Sequence, residues 1–597
     1  MQIKTGFLLL VLLMLYACDQ GPRDAGVVAQ GEAVDETGGA VPAADTLLMN
    51  GRVYTLNPVQ PWAEAIAIED SRILYVGSDA GALAHQGDKT EIIDMEGKMA
   101  MPGLNDLHVH PVYGFTVQLF ECVFPGSATP EVVRQTVTRC VADYPDAEWI
   151  IGGQWETDFF IKHDIPSPRK WLDEISGDKA VILRDTSFHN RWVNSKALDL
   201  AGLTRDSPEI PGGEIVRDKE TGEPNGLLYE TASGPVLSII PDWTEEQYLA
   251  AAREGMRAAN RFGLTGIKEA WATPQGLKAY KTLDENGEVS VHLVTSMSVL
   301  PMLGEEKNLD AGILEQMRTA HRGRNVNTDA VKISMDGVPS ASRTAAMLAD
   351  YMPAYAGAPT HNGKQHYTQD ELSRLIVQLD KLGMTAKVHT AGDRSVRVTL
   401  NAIEAARQAN GNSGLRHELA HAGYIDAADI PRFAALDAVA EISPYIWFPS
   451  VKVDSIIRAV GEERGQRYWP VRDLLEAGAQ VVAGSDWPAG SLSSMNPWVG
   501  LEAMVSRANP WGLRQDRLWE EQAITLEQAL EIYTRSGARA LFMEQESGSL
   551  EVGKLADIIV LEHNLFEIPV SRISDTQVSL TLFEGRIVHR MQVTASH

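Results

Sequence analysis

Cysteine is scarce in this chain, with three residues at positions 18, 122 and 140. With Cys18 set aside, at most one disulfide is open to it, Cys122–Cys140, against two buried free thiols. Positive charge is also short. Lys and Arg total 53 against 80 Asp and Glu, a formal net charge of −27. A field of that sign repels a phosphate backbone and excludes nucleic acid as a partner. No run approaches the roughly 20 apolar residues that a membrane-spanning helix needs. The run Phe7–Tyr16 stops at ten. No internal repeat marks a solenoid. What is present is a hydrophobic fraction of 44% over 597 residues, enough for a large core and two or three domains.

The N-terminus has the proportions of an export signal. Lys4 precedes the apolar run, and Ala17-Cys18 follows it. Leu15-Tyr16-Ala17-Cys18 resembles the lipobox of bacterial lipoproteins, which implies cleavage before Cys18 and a lipid on its new N-terminus. By the same resemblance, Asp19 favours retention at the inner membrane, facing the periplasm. Plain secretion is the alternative. Residues 19–44 hold almost no bulky apolar side chain and read as a flexible tether. In an oxidising periplasm Cys122 and Cys140 are candidates to pair.

From Thr46 the pattern becomes short alternating runs broken by Asn-Gly and Glu-Gly turns, and the end of the chain does the same. This predicts one β-sandwich built from both chain ends, residues 45–100 and 546–597. Between them, over 101–545, apolar strand runs alternate with amphipathic helices. Strand candidates are Met101–Leu107, Leu264–Glu269, Val291–Ser296, Val331–Met335, Met384–Val388, His417–His421, Val439–Ser443 and Gln480–Gly484. Eight such strands suit a (β/α)8 barrel, with a doubly wound sheet as the rival. The stretch of about 111–262 is too long for a loop and reads as an inserted subdomain.

The sharpest local signal is His108-Val109-His110. On a strand, residues i and i+2 share a face, so both imidazoles can meet one divalent metal at the catalytic end of a barrel. Lys332 lies within an apolar strand run, where an ammonium needs a reason. A carbamylated lysine bridging two metals is one such reason. His389 follows an apolar strand, and His421 ends another, with His417 nearer that strand's start. Asp486 in Gly484-Ser485-Asp486-Trp487-Pro488 is placed to take a proton from an attacking water. Each residue alone has an ordinary structural explanation. Together they fall at the ends of strands one, four, five, six and eight.

On these residues the chain resembles the amidohydrolase superfamily, in its YtcJ-like branch, from about Thr46 to Arg590. The stretches that carry the likeness include PGLNDLHVHP, SFHNRWVNSKALDLAGL, DGVPSASRTAAML, VHTAGDRS, RHELAHA, AGSDWP and GSLEVGKLADIIVLE. The resemblance implies an α/β fold, a distorted TIM barrel with one or two metal ions, usually zinc; manganese, iron or cobalt also suit such ligands. His108, His110, Lys332, His389, His421 and Asp486 match the ligand positions, with Asp486 also catalytic. The inserted segment resembles one that closes over a substrate pocket, which would place His189 and Trp192 near a ligand. Arg343, Trp155 and Trp487 are further pocket candidates. The implied reaction is hydrolysis of a C–N bond in a small amide, N-acyl or cyclic amide substrate. A deaminase, an ester or lactone hydrolase, a phosphotriesterase and a non-catalytic binding lipoprotein are the alternatives.

Overall fold

The computed structural model describes residues 42–156, 159–186, 190–210, 213–298, 310–340, 342–353, 357–489 and 494–592. The signal, Cys18 and Asp19 lie outside the described residues, as does all of the tether except residues 42–44. Among the described residues no helix is long and apolar enough to cross a membrane.

The chain begins and ends in the same two-sheet sandwich. One sheet has four strands from residues 44–94. The other has six and interleaves both ends, with Ile558–Leu561 pairing antiparallel to Met99–Pro102. Their shared core joins Leu48, Ile66 and Ile68 to Ile558, Val560 and Leu582. Both termini thus contribute to a single apolar core.

The barrel is an eight-stranded parallel sheet. Its strands are Leu104–Val109, Leu264–Ala272, His292–Met297, Val326–Ser334, Thr385–Thr390, Glu418–His421, Val439–Ile442 and Gln480–Ala483, here strands one to eight. All eight expected strands are present in the expected order. The first is shorter than the expected Met101–Leu107 run, because Met101 and Pro102 belong to the sandwich. Gly103 is the pivot: a Cβ there would lie 2.1 Å from Thr265 Oγ1. The sheet closes on itself where the Asp486 amide donates to the His108 carbonyl at 2.7 Å. Gly484 permits that approach, since a Cβ on it would lie 2.4 Å from the His108 Cβ.

Two helices follow the sequence signals closely. Gln369–Lys381 starts with a complete Thr368/Glu371 capping box. Asp393–Asn410 ends at Gly411, whose φ of 78° suits glycine.

The insertion has its own six-stranded sheet over Cys122–Glu230. It is narrower than the expected 111–262. The helices Pro111–Phe120 and Glu245–Arg261 put Val112, Phe115, Ala252 and Met256 into the barrel's core and belong to the barrel layer. Cys122 and Cys140 form a disulfide with Cα atoms 6.0 Å apart. It ties the first strand of the inserted sheet to the helix Pro130–Asp143.

Candidate metal centre

The catalytic ends of the barrel strands bring four histidines into a continuous row. Ring centroids are 5.4 Å apart for His108 and His110, 4.6 Å for His108 and His421, and 4.6 Å for His389 and His421. His108 is still on strand one, while His110 caps the helix that follows it. Asp486 Oδ1 lies 3.4 Å from His110 Nε2 and 3.6 Å from His108 Nε2. Lys332 Nζ lies 3.3 Å from the same His108 nitrogen. His421 and Asp486 hold left-handed backbone conformations, with φ of 68° and 53°. Non-glycine residues adopt that region at a cost, which concentrates at functional sites.

Each histidine has one ring nitrogen tied. His108 Nδ1 is 2.8 Å from Glu441 Oε2, and His110 Nδ1 is 3.3 Å from Glu269 Oε1. His421 Nδ1 meets Ser443 Oγ at 3.0 Å, and His389 Nε2 donates to the Gly337 carbonyl at 3.1 Å. A carboxylate or carbonyl accepts only, so the contacts of His108 and His389 fix the tautomer and leave the opposite nitrogen as an electron-pair donor, while the Ser443 hydroxyl can take either role toward His421. That is the arrangement of metal-binding histidines with oriented rings.

The electrostatics agree. Burial pushes His108 and His421 well below the usual imidazole range and His389 down to about 4, so all three are neutral, as ligands must be. His110 is the exception. Burial disfavours its charge, yet the carboxylates of Asp486 and Glu269 push it up to about 9. The site thus favours a positive charge beside Asp486, where a cation fits. Burial and the neighbouring Lys387 push the Lys332 ammonium down to about 8. His108, His110 and Asp486 offer ligand atoms within 4.8 Å of one another.

A matching family model covers residues 91–589. The chain belongs to the amidohydrolase family. An N-substituted formamide deformylase of Arthrobacter pascens is 28% identical over 91% of this chain and 97% of its own length. A Bacillus subtilis protein named as an amidohydrolase, YtcJ, is 27% identical over 90% of this chain and 98% of its own. The structure of a metal-dependent hydrolase from Pyrococcus horikoshii superposes with a TM-score of 0.69, at 23% identity, over 88% of this chain and 99% of that one. This amidohydrolase is an enzyme that hydrolyses C–N bonds other than peptide bonds, with a divalent metal.

The pocket candidates divide. His189 lies outside the described residues. Trp192 and Trp155 are in the core of the inserted subdomain, at 0% and 1% exposure. Their indole N–H groups donate to the carbonyls of Pro168 and Leu183. Both pack into the subdomain core, because the alternation of their strands turns them inward. Trp487 is buried against Phe115, ring centroids 4.8 Å apart, and its carbonyl accepts from the His110 amide. It packs the Asp486 loop onto the His110 helix. Arg343 is half-buried and donates from Nε to the Met352 carbonyl at 3.2 Å. His417 is structural: it accepts from the Ala386 amide and lies 3.4 Å from Asp380.

Sequence reasoning missed the groups beneath the ligands. Lys268, Lys387, Glu418 and Glu441 all sit inside the barrel, none more than 1% exposed. Lys268 Nζ donates to Glu418 Oε1 at 2.5 Å. Lys387 Nζ donates to Glu418 Oε2 at 2.8 Å, Glu441 Oε2 at 2.5 Å and the Leu107 carbonyl at 2.8 Å. The question raised by Lys332, why a charge stands within an apolar strand, applied equally to these four. Asp106 was also missed. Its Oδ1 accepts from the amides of His108 and Ser485, joining strand one to the loop after strand eight.

Proposed function

We propose that this amidohydrolase cleaves the C–N bond of a small N-acyl or cyclic amide, with zinc as the metal and with Lys332, carboxylated on Nζ, among the residues that would hold it. The observation that carries the reading is the place of Asp486, within 3.6 Å of the untied nitrogens of both strand-one histidines. A divalent ion in this ligand set supplies water acidified toward neutrality and a Lewis acid for the amide oxygen. His108, His110, His389, His421, Lys332 and Asp486 are the residues that would hold it. Asp486 accepts the proton of the attacking water through Oδ1 and passes it to the leaving nitrogen, so the amine departs neutral. Glu269, 3.3 Å from His110 Nδ1, keeps that imidazole oriented. No residue of the chain needs to form a covalent bond to the acyl group.

Two further points support the details. The A. pascens relative is named for an amide substrate. An unmodified Lys332 ammonium is donor-only and would meet His108 Nε2 at 3.3 Å, the nitrogen a metal requires. Carboxylation turns the same side chain into an oxygen ligand and removes the conflict. Elemental mass spectrometry of the purified protein, with a screen of N-formyl and N-acyl amines and cyclic amides, tests the reading. About two zinc per chain and amine release are expected. About one zinc would return Lys332 to an ordinary side chain, and none after reconstitution would overturn the proposal.

We also propose that the enzyme works at the periplasmic face of a bacterial envelope, tethered by a lipid on Cys18. The lipobox-like Leu15–Cys18 sequence and the apolar-poor tether support this. Cys18→Ser should release the protein from membranes in a fractionation; unchanged membrane association would refute the anchor.

A further inference from the structure

Strand seven carries none of the six proposed ligands, yet two inward side chains, Glu441 on it and Ser443 just past its end, meet two of them. Glu441 and Ser443 are two residues apart and share a face. Glu441 reaches across the barrel to His108 Nδ1 on strand one, at 2.8 and 2.9 Å through its two oxygens. Ser443 reaches the neighbouring strand to meet His421 Nδ1 at 3.0 Å. We infer that strand seven is the positioning strand of the metal centre and that Glu441 is its principal positioning residue. The inference rests on the reading of His108 as a metal ligand.

The energetics of burial point the same way. A carboxylate enclosed by protein loses hydration worth several kcal/mol. The buried Glu441 is partnered on its other side by Lys387, which donates to it at 2.5 Å. Lys387 is in turn shared with Glu418, and Glu418 is balanced by Lys268. Two lysines and two glutamates form a hydrogen-bonded chain across strands two, five, six and seven. Packing alone does not call for it, since apolar residues of similar volume fill such a space as well or better. The chain has one end on a ligand: His108. Its output there is specific. A carboxylate with both oxygens on Nδ1 keeps the proton on that nitrogen and the electron pair on Nε2, and fixes the ring plane. Glu269 orients His110 from outside this chain, with its oxygens on the Trp271 amide and the Tyr280 hydroxyl. Among the described residues, Glu441 is the member of this chain that hydrogen-bonds to a proposed histidine ligand.

The test is zinc affinity of the purified full protein, by competition with a chromophoric chelator, beside kcat, KM and melting temperature. Glu441→Asp retains a charge for Lys387 but is one methylene too short for His108. It should weaken zinc binding about 10–100-fold, lowering kcat with KM nearly unchanged. Glu441→Gln, whose amide oxygen still accepts from Nδ1, should recover most of the affinity. Ser443→Ala should weaken binding by a smaller factor than Glu441→Asp. Native zinc affinity in Glu441→Asp, with only the melting temperature lowered, would make the chain mere filling and overturn the inference alone. Absence of zinc binding in the unsubstituted protein would overturn the metal reading and this inference with it.

Discussion

The interiors of the barrel and of the inserted subdomain solve the same problem with opposite materials. The barrel's upper interior is charged: four histidines, Lys332, Asp486 and the Lys268–Glu418–Lys387–Glu441 chain stand where aliphatic layers would ordinarily pack. The subdomain's interior is aromatic: Trp155, Phe159, Phe160 and Trp192 interlock edge to face, beside the Cys122–Cys140 disulfide. Polar groups so deeply buried are costly, and in the barrel each is oriented by a neighbour. Buried aromatics stabilise chiefly by area and shape, with the two indole N–H groups satisfied by backbone carbonyls. A charge inside the barrel therefore signals chemistry, whereas a tryptophan inside the subdomain signals packing.

Substitutions can break that contrast. The largest effect belongs to His108→Ala or His110→Ala, which should remove metal and activity together, read by elemental analysis and turnover. Full metal occupancy in either variant would remove that residue from the ligand set. Asp486→Asn comes next, with kcat down about 10²–10⁴-fold while fold and most of the metal remain; near-native turnover would mean that another base serves. Trp192→Ala should act in the opposite currency. A cavity in the subdomain core costs about 3–5 kcal/mol of stability, seen as a lower melting temperature, with kcat per folded molecule little changed. A large selective loss of kcat would instead place Trp192 at the substrate. The smallest effect is expected on reducing Cys122–Cys140, which closes a loop of 18 residues. Its loss should cost about 3 kcal/mol, confined to the subdomain, with protease sensitivity over Cys122–Glu230 as the readout.

Much of the fold was legible because periodicity reports it directly. Alternating runs at both ends marked the sandwich, and eight apolar runs with helices between them marked the barrel. The capping box at Thr368 and Glu371 and the stop at Gly411 were visible as letters. The limits of the insertion were not, because the helices Pro111–Phe120 and Glu245–Arg261 are amphipathic whichever body they cover. The metal-site candidates were readable as His and Asp at strand ends. The support for them was not, since one buried lysine in an apolar strand looks like another.

The sequence by itself determined the strand and helix periods, the parity that turns His108 inward, and a strongly negative net charge. Only the tertiary structure decided which groups meet. Glu441 lies 333 positions from His108, and Lys387 lies 54 from Glu441. Such contacts exist only once the barrel closes, because closure alone brings side chains from opposite strands within hydrogen-bonding reach and withdraws them from water. The same closure of the subdomain core decided that Trp155 and Trp192 are packed within it. Their letters carry the same hydrophobic surface in either role, and the position of neighbouring strands settles which face is covered.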